Sequence, residues 1–275
     1  AVAESSDELM EKYFAGEEFT VEEIQAALRE NVEACKIAPV LMGSGPNVQG
    51  FNVLLQVLEK YFPSPESLES IGVDASTGEH FRAKYQSDKS LSAKIWKTIA
   101  DPFLGKYSLF KICTGVLKAN SEIYNVNKES MEKVGKLYLL RGNTPIEVPE
   151  LKSGDIGAVA KLNISETGDS ISVRNAPILY HGPKLSEPFT FMAYRAEQKA
   201  DEDKLSTALQ KMMDEDRTIR LQADPENRQS LIYAIGEQQL EVLASRLKDR
   251  YNVSINLEKP RFAYRETIKK TVKVQ

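Results

Sequence analysis

The sequence predicts a multi-domain chain of three unlike parts: a corner of an α/β domain, an all-β barrel, and an α+β sandwich of the ferredoxin-like βαββαβ type. Three observations predict it. A short apolar run, Lys36–Met42, passes through Gly43-Ser44-Gly45 into an amphipathic stretch that begins after Gly50. Between 93 and 175, six short β-rich runs alternate with turn residues. From 187 to 258, strand and helix periodicities follow one another in the order β-α-β-β-α-β. A length of 275 residues suits about two domains of roughly 100–200 residues, with pieces of a third.

The first part, 1–65, opens with two acidic helices over 6–33. Leu9, Tyr13 and Phe14 form the first apolar stripe, and Ile24, Ala27 and Leu28 the second. Thr20 stands three residues before Glu23, the spacing of a capping box. Lys36–Met42 is expected to be a short buried strand, and Phe51, Leu54, Leu55 and Leu58 one face of the helix after it. That helix must stop before Pro63-Ser64-Pro65, because proline cannot continue it. Strand, turn and helix in this order are one corner of an α/β domain. Residues 66–92 are weakly periodic and read as a linker with an irregular extension.

In the barrel, 93–185, the expected strands are Lys94–Ile99, Tyr107–Thr114, Glu122–Val126, Glu132–Leu140, Ile156–Leu162 and Asp169–Val173. Asp101-Pro102, Gly105, Gly115, Gly142-Asn143, Gly154-Asp155 and Gly168 separate them. Short strands at this spacing fit a closed barrel, which removes unpaired edges. The third part, 186–258, has strands at Phe189–Ala196, Thr218–Gln222, Gln229–Ile235 and Val253–Leu257. One helix opens at Asp201 with Leu205, Ala208, Leu209 and Met212 on one face; the other follows Gly236 with Leu240, Leu243, Ala244 and Leu247. The sheet's other face is expected to be free.

Composition describes an ordinary globular protein, 41% hydrophobic and 28% charged, which excludes collagen-like and largely disordered chains. No apolar run reaches the ~18–20 residues of a membrane span, so no membrane partner is expected. The acidic N-terminus is unlike a signal peptide, and the missing initiator Met points to a fragment. Cys35 and Cys113 form no CxxC pair, and a reducing, cytoplasmic setting is the natural expectation. The net charge of −4 divides unevenly, with −7 over 1–65, −2 over 66–92, +4 over 93–185, −4 over 186–258 and +5 over 259–275. The basic middle and tail fit contact with RNA; lysines that merely solvate a β-domain are the alternative.

No complete catalytic constellation is present. The chain has no G-x-x-x-x-G-K-[ST], no G-x-G-x-x-G and no H-E-x-x-H, and its two histidines, His80 and His181, lie far apart. No catalytic or metal-ligating residue is therefore assigned. Ser44 and Gly45 end an expected strand before a helix, the place where α/β sheets bind ligands and where backbone N–H groups can meet a nucleobase carbonyl. A plain strand–helix turn explains them equally well.

Several runs resemble bacterial elongation factor G. Asp7-Glu8-Leu9-Met10-Glu11-Lys12-Tyr13, with Gly16-Glu17-Glu18 and Thr20, is similar to the insert of that family's GTPase domain. Pro39–Ser44 and Tyr61-Phe62-Pro63-Ser64-Pro65 resemble the close of that domain, and Ala100–Lys106 the barrel signature A-D-P-F-x-G-K. Gly236-Glu237, Leu240-Glu241-Val242 and Tyr264-Arg265-Glu266-Thr267 resemble the third domain and the entry to the fourth. The matches keep the family's order from residue 7 to 268.

The resemblance implies a GTP-driven ribosomal translocase, represented here by the end of a P-loop GTPase domain (1–65), a translation-factor β-barrel (93–185), a ferredoxin-like third domain (186–258) and the start of a fourth (259–275). It implies GTP and Mg2+ as cofactors of the full-length parent and none for this fragment. The expected partner is the ribosome, RNA and proteins, met by a monomer. Ser44 and Gly45 would contact guanine, and Lys128, Lys133, Lys136 and Arg141 ribosomal RNA. The sequence departs from the family at Gly45-Pro46, at Arg141-Gly142-Asn143-Thr144, and at Gln238 and Gln239, where the family reads Leu and His. These departures fit a divergent paralogue. A ribosomal-protection or release-factor-type GTPase, or a non-hydrolysing RNA-binding module, are the alternatives.

Overall fold

The computed structural model describes residues 2–101, 105–142, 144–182 and 184–267, in two compact units that divide between Glu69 and Ser70. Pro102, Phe103 and Leu104 of the barrel signature, Asn143, and residues 268–275 of the expected fourth-domain start lie outside the described residues.

Among the described residues, the first unit holds a short 3-10 turn (Ala3–Ser5) and three α-helices, α1 (Asp7–Phe14), α2 (Val21–Glu33) and α3 (Phe51–Tyr61). The Ser6 hydroxyl caps α1 by accepting from Leu9 N–H at 3.2 Å. Thr20 and Glu23 complete the capping box on α2. Glu23 also receives Lys12 Nζ at 2.9 Å, which ties α1 to α2. The expected strand Lys36–Met42 does not form: these residues join no ladder, and Val40 and Met42 are 90% and 94% exposed. A strand needs a partner, and among the described residues this unit supplies none. α3 likewise leaves Phe51, Val53, Leu55 and Leu58 exposed.

In the second unit, 66–92 is not a linker throughout. β1 (Ser70–Asp74) and β2 (His80–Ala83) make a hairpin around an Asp74-centred turn, whose carboxylate accepts from Ser76 N–H at 2.8 Å. Their half-alternating burial carried too little periodicity to be read in advance. The barrel follows as β3 (Ser92–Asp101), β4 (Gly105–Thr114), β5 (Val116–Lys118), β6 (Glu122–Asn125), β7 (Ser130–Lys133), β8 (Leu137–Arg141), β9 (Thr144–Val148), β10 (Glu150–Lys152), β11 (Ile156–Ala160), β12 (Ser170–Ser172) and β13 (Ile178–Tyr180).

Eight of these strands form one sheet in the order β7-β6-β12-β3-β4-β11-β8-β9. It wraps a single core that includes Ile95, Phe110, Ile112, Leu137 and Ile171. The end strands β7 and β9 are not laddered to each other. The small, separate β5–β10 ladder places Leu117 and Leu151 in the same core. The run Glu132–Leu140, expected as one strand, is two. Val134 N–H bonds Ser121 O and Gly135 O accepts from Asn120 N–H, which turns the chain away from its ladder. β13 pairs with β1 and docks on the barrel through Tyr180, whose hydroxyl lies 2.6 Å from Ser92 Oγ. Burial pushes the Tyr180 phenol far above its usual value.

The third part is β14 (Thr190–Ala196), α4 (Glu202–Glu215), β15 (Arg220–Asp224), β16 (Gln229–Ala234), α5 (Glu237–Tyr251) and β17 (Ile255–Glu258). The antiparallel order β15-β16-β14-β17 is the split βαβ sandwich. Both helices bury the expected stripes, Leu205, Leu209 and Met212 on α4 and Leu240, Leu243 and Leu247 on α5. The opposite sheet face, expected to be free, is partly covered by the chain after β17. Phe262 meets Phe191 edge-on, and Arg261 and Gln229 exchange two hydrogen bonds of 2.8 and 2.9 Å.

Candidate nucleic-acid interface and domain junction

Two groups of polar side chains stand out in the second unit: the basic residues of the barrel, and a junction between the barrel and the βαββαβ sandwich. The turn that carries Ser44 and Gly45 belongs to the first unit.

That turn is closed on itself. Ser44 N–H donates to Gln49 O at 3.0 Å and Gln49 N–H returns to Ser44 O at 3.1 Å, while Val48 N–H reaches Gly45 O. Ser44's own N–H is thus committed within the loop. Gly50 holds φ +83°, and a Cβ there would stand 2.7 Å from Met42 O, so only glycine lets the loop fold back onto the entry of α3.

The four basic residues expected to meet RNA differ in how they are paired. Lys128, in the β6–β7 turn, donates to Ile164 O at 2.9 Å and pairs with Glu166 at 3.0 Å. Lys136 pairs with Glu147 at 2.7 Å, which raises its pKa. Lys133 ends β7 and Arg141 ends β8, and neither makes an ion pair among the described residues. Lys133 at the end of β7 and Lys136 just before β8 are three positions apart, joined through Val134 and Gly135.

Between Lys128 and the sandwich lies a chain of charges. Glu166 faces Lys128 and also Arg217 at 3.6 Å. Burial alone would raise the Glu166 pKa, but the Lys128 hydrogen bond and the positive charges of Lys128, Arg217 and Lys106 outweigh it and hold it low. Arg217 donates to Thr167 O. Glu215, at the end of α4, accepts from Ala100 N–H on β3 at 2.8 Å and pairs with Arg250 on α5 at 3.1 Å. Asp216 is tied to Gln239, whose Nε2 donates to Asp216 Oδ2 at 2.7 Å and to Thr218 Oγ1 at 2.8 Å, while its Oε1 accepts Ile235 N–H at 2.7 Å. A cleft of about 440 Å³ opens here between Thr167–Asp169 and Glu215–Arg217.

The residues that sequence reasoning missed are those whose role depends on a distant partner. Glu132 collects the N–H groups of Asn163, Ile164 and Ser165. Glu215 and Arg217 reach across a boundary, and Gln239 bridges three segments. No spacing rule marks them, since apart from Ile235, four positions before Gln239, these partners lie 21 or more positions away. Among the described residues no group of His, Cys, Asp and Glu is placed to hold a metal ion, and no helix is long and apolar enough to cross a membrane.

Comparison with known proteins bears on this arrangement. The family model described as elongation factor G domain 2 matches residues 90–174. The model described as elongation factor G, domain III, matches residues 185–259. A solved structure of a protein from Thermus thermophilus superposes with a TM-score of 0.73 at 28% identity, over 98% of this chain and 38% of that one. This chain thus spans well under half the length of that relative.

Proposed function

We propose, from the premise that this chain belongs to the elongation factor G family, that it is the ribosome-binding and relay portion of a GTP-driven factor that moves tRNA and mRNA through the ribosome. The observation that carries this is the junction itself. Domain 2 and domain III follow each other in the chain and are joined by short, directional contacts, Glu215 to Ala100 N–H and Arg217 to Thr167 O. Such a joint transmits a displacement of one domain to the other, which a relay between a nucleotide switch and a ribosomal contact requires.

In this reading the barrel, with a net charge of +4, meets ribosomal RNA, and Lys133 and Arg141 are the expected contacts left unpaired. Residues 1–65 are the closing part of a GTPase domain. Support comes from the exposed apolar face of α3 and from the unladdered Lys36–Met42, the two layers of an α/β corner without the sheet that would bury them. Ser44 and Gly45 would form one side of a guanine pocket in the parent, whose remaining parts supply the GTP and Mg2+ sites. Gln239, where the family reads His, is fully used in holding Asp216 and Thr218, which fits a divergent paralogue.

Co-sedimentation of the chain with ribosomes over a salt series tests this reading. Binding that weakens log-linearly with salt is expected, as phosphate contacts dictate; absence of binding at low salt would refute it.

A further inference from the structure

The outer face of β3 and β4 combines an exposed aromatic ring with unpaired cations. Ala93 and Ile95 of β3 oppose Ile112 and Phe110 of β4 inside the barrel. Alternation then places Lys94 and Lys111, which are direct cross-strand partners, side by side on the outer face. Between Ile95 and Lys97 the register slips, and Trp96 is the extra residue. Bulges of this kind re-aim a side chain, and here the indole is 46% exposed. Lys97 Nζ lies 6.0 Å from the ring centroid. Ile156, the partner of Lys111 on β11, adds an exposed apolar edge.

Unlike Lys128 and Lys136, none of Lys94, Lys97 and Lys111 has a carboxylate within ion-pair distance among the described residues. Like charges directly opposite each other on neighbouring strands repel, and an anion laid across them removes that repulsion. A flat indole beside several unpaired cations is the pairing that binds unpaired nucleotides, one base on the ring and the backbone along the charges. A duplex hides the faces of its bases and has no use for the ring.

We propose that Trp96, with Lys94, Lys97 and Lys111, is a docking site for an unpaired segment of RNA, one base stacking on Trp96. This rests on the reading that the barrel meets RNA and names the surface and the kind of RNA. An acidic protein would use the lysines but gain little from the ring.

Trp96 is the chain's single tryptophan, so intrinsic fluorescence reports on this site alone. The chain would be titrated with a short single-stranded oligoadenylate, with the matching duplex, and with polyglutamate. Saturable quenching by the single strand is expected, stronger than by either competitor. Its affinity should fall with a log–log salt slope of about 2, at roughly 0.7 per phosphate contact. Trp96→Ala should weaken binding of labelled oligoadenylate at least about five-fold. Trp96→Phe should keep most of it, and Lys97→Glu should lower the salt slope, with circular dichroism confirming the fold of each variant. Equal quenching by polyglutamate, or wild-type RNA affinity in Trp96→Ala, would overturn the proposal. If that variant still pellets with ribosomes like the wild type, this site is refuted while the ribosomal reading stands. If the wild-type chain binds neither ribosomes nor oligoadenylate, both fall.

Discussion

Glu132 on β7 and Ser165 in the loop after β11 meet twice, through the Ser165 backbone N–H at 3.1 Å and its hydroxyl at 2.6 Å. The same carboxylate takes Asn163 N–H at 2.6 Å and Ile164 N–H at 3.0 Å. Burial would raise the Glu132 pKa, but these donors outweigh it and hold it below the usual 4.5. A carboxylate whose folded pKa is depressed stabilises fully above its unfolded pKa, and the contribution is lost as pH falls through the folded value. Glu132→Gln should therefore cost about 1.5–3 kcal/mol at pH 7, the usual range for hydrogen bonds to a charged group. The difference from wild type should shrink below pH 4.5. Urea unfolding at pH 7 and pH 4 checks both; a cost that is the same at the two pH values would refute the assignment.

Gly157 on β11 faces Leu151 on β10. A Cβ on Gly157 would sit 2.3 Å from Leu151 Cδ1, and Leu151 is 1% exposed. Gly157→Ala should destabilise the barrel by about 1–3 kcal/mol through overpacking. Leu151→Ala in the same chain should relieve the clash, so the double variant should be less unstable than the two single costs summed. Thermal melts of the three variants measure this, and strict additivity would rule out the contact.

How much was legible follows from where each signal lives. The sandwich could be read almost element by element, because Leu205, Leu209 and Met212 on α4 and Leu240, Leu243 and Leu247 on α5 repeat at helical spacing on helices bounded by Asp201 and Gly236. The hairpin over 70–83 could not, since its pairing with β13 joins residues about a hundred positions apart. Lys36–Met42 has the composition of a buried strand, but composition cannot supply a neighbouring strand, and here the segment stays exposed. Trp96 was invisible for the opposite reason: a bulge breaks the alternation on which strand reading depends.

The chain is expected neither to bind GTP at micromolar concentration nor to hydrolyse it. Phosphoryl transfer in this class relies on a phosphate loop, magnesium ligands and a residue that orients water, and the sequence contains no G-x-x-x-x-G-K-[ST]. The turn at Ser44 spends its own N–H on Gln49 O. Calorimetry with GTP and a turnover assay against a buffer blank test this, and a micromolar Kd would overturn it.

The joint between barrel and sandwich yields the last prediction. Summed charges of +4 and −4 imply weak, salt-sensitive docking of a mobile domain. The contacts run differently. The barrel supplies the acid Glu166 and the sandwich the base Arg217, the reverse of the sums, while Glu215 meets a backbone N–H instead of a lysine. Short hydrogen bonds between partly buried groups are screened far less than separated surface charges. Ala100 is 4% exposed, so removing Glu215 strands its N–H away from water and should cost about 1–3 kcal/mol. Glu215→Ala combined with Arg217→Ala should split one unfolding transition into two and enlarge the radius of gyration measured by small-angle scattering. Wild type should keep one profile from low to high salt. A wild-type profile that expands with salt would mean that long-range charge holds the domains together. A double variant indistinguishable from wild type would mean that Glu215 and Arg217 do not form the joint.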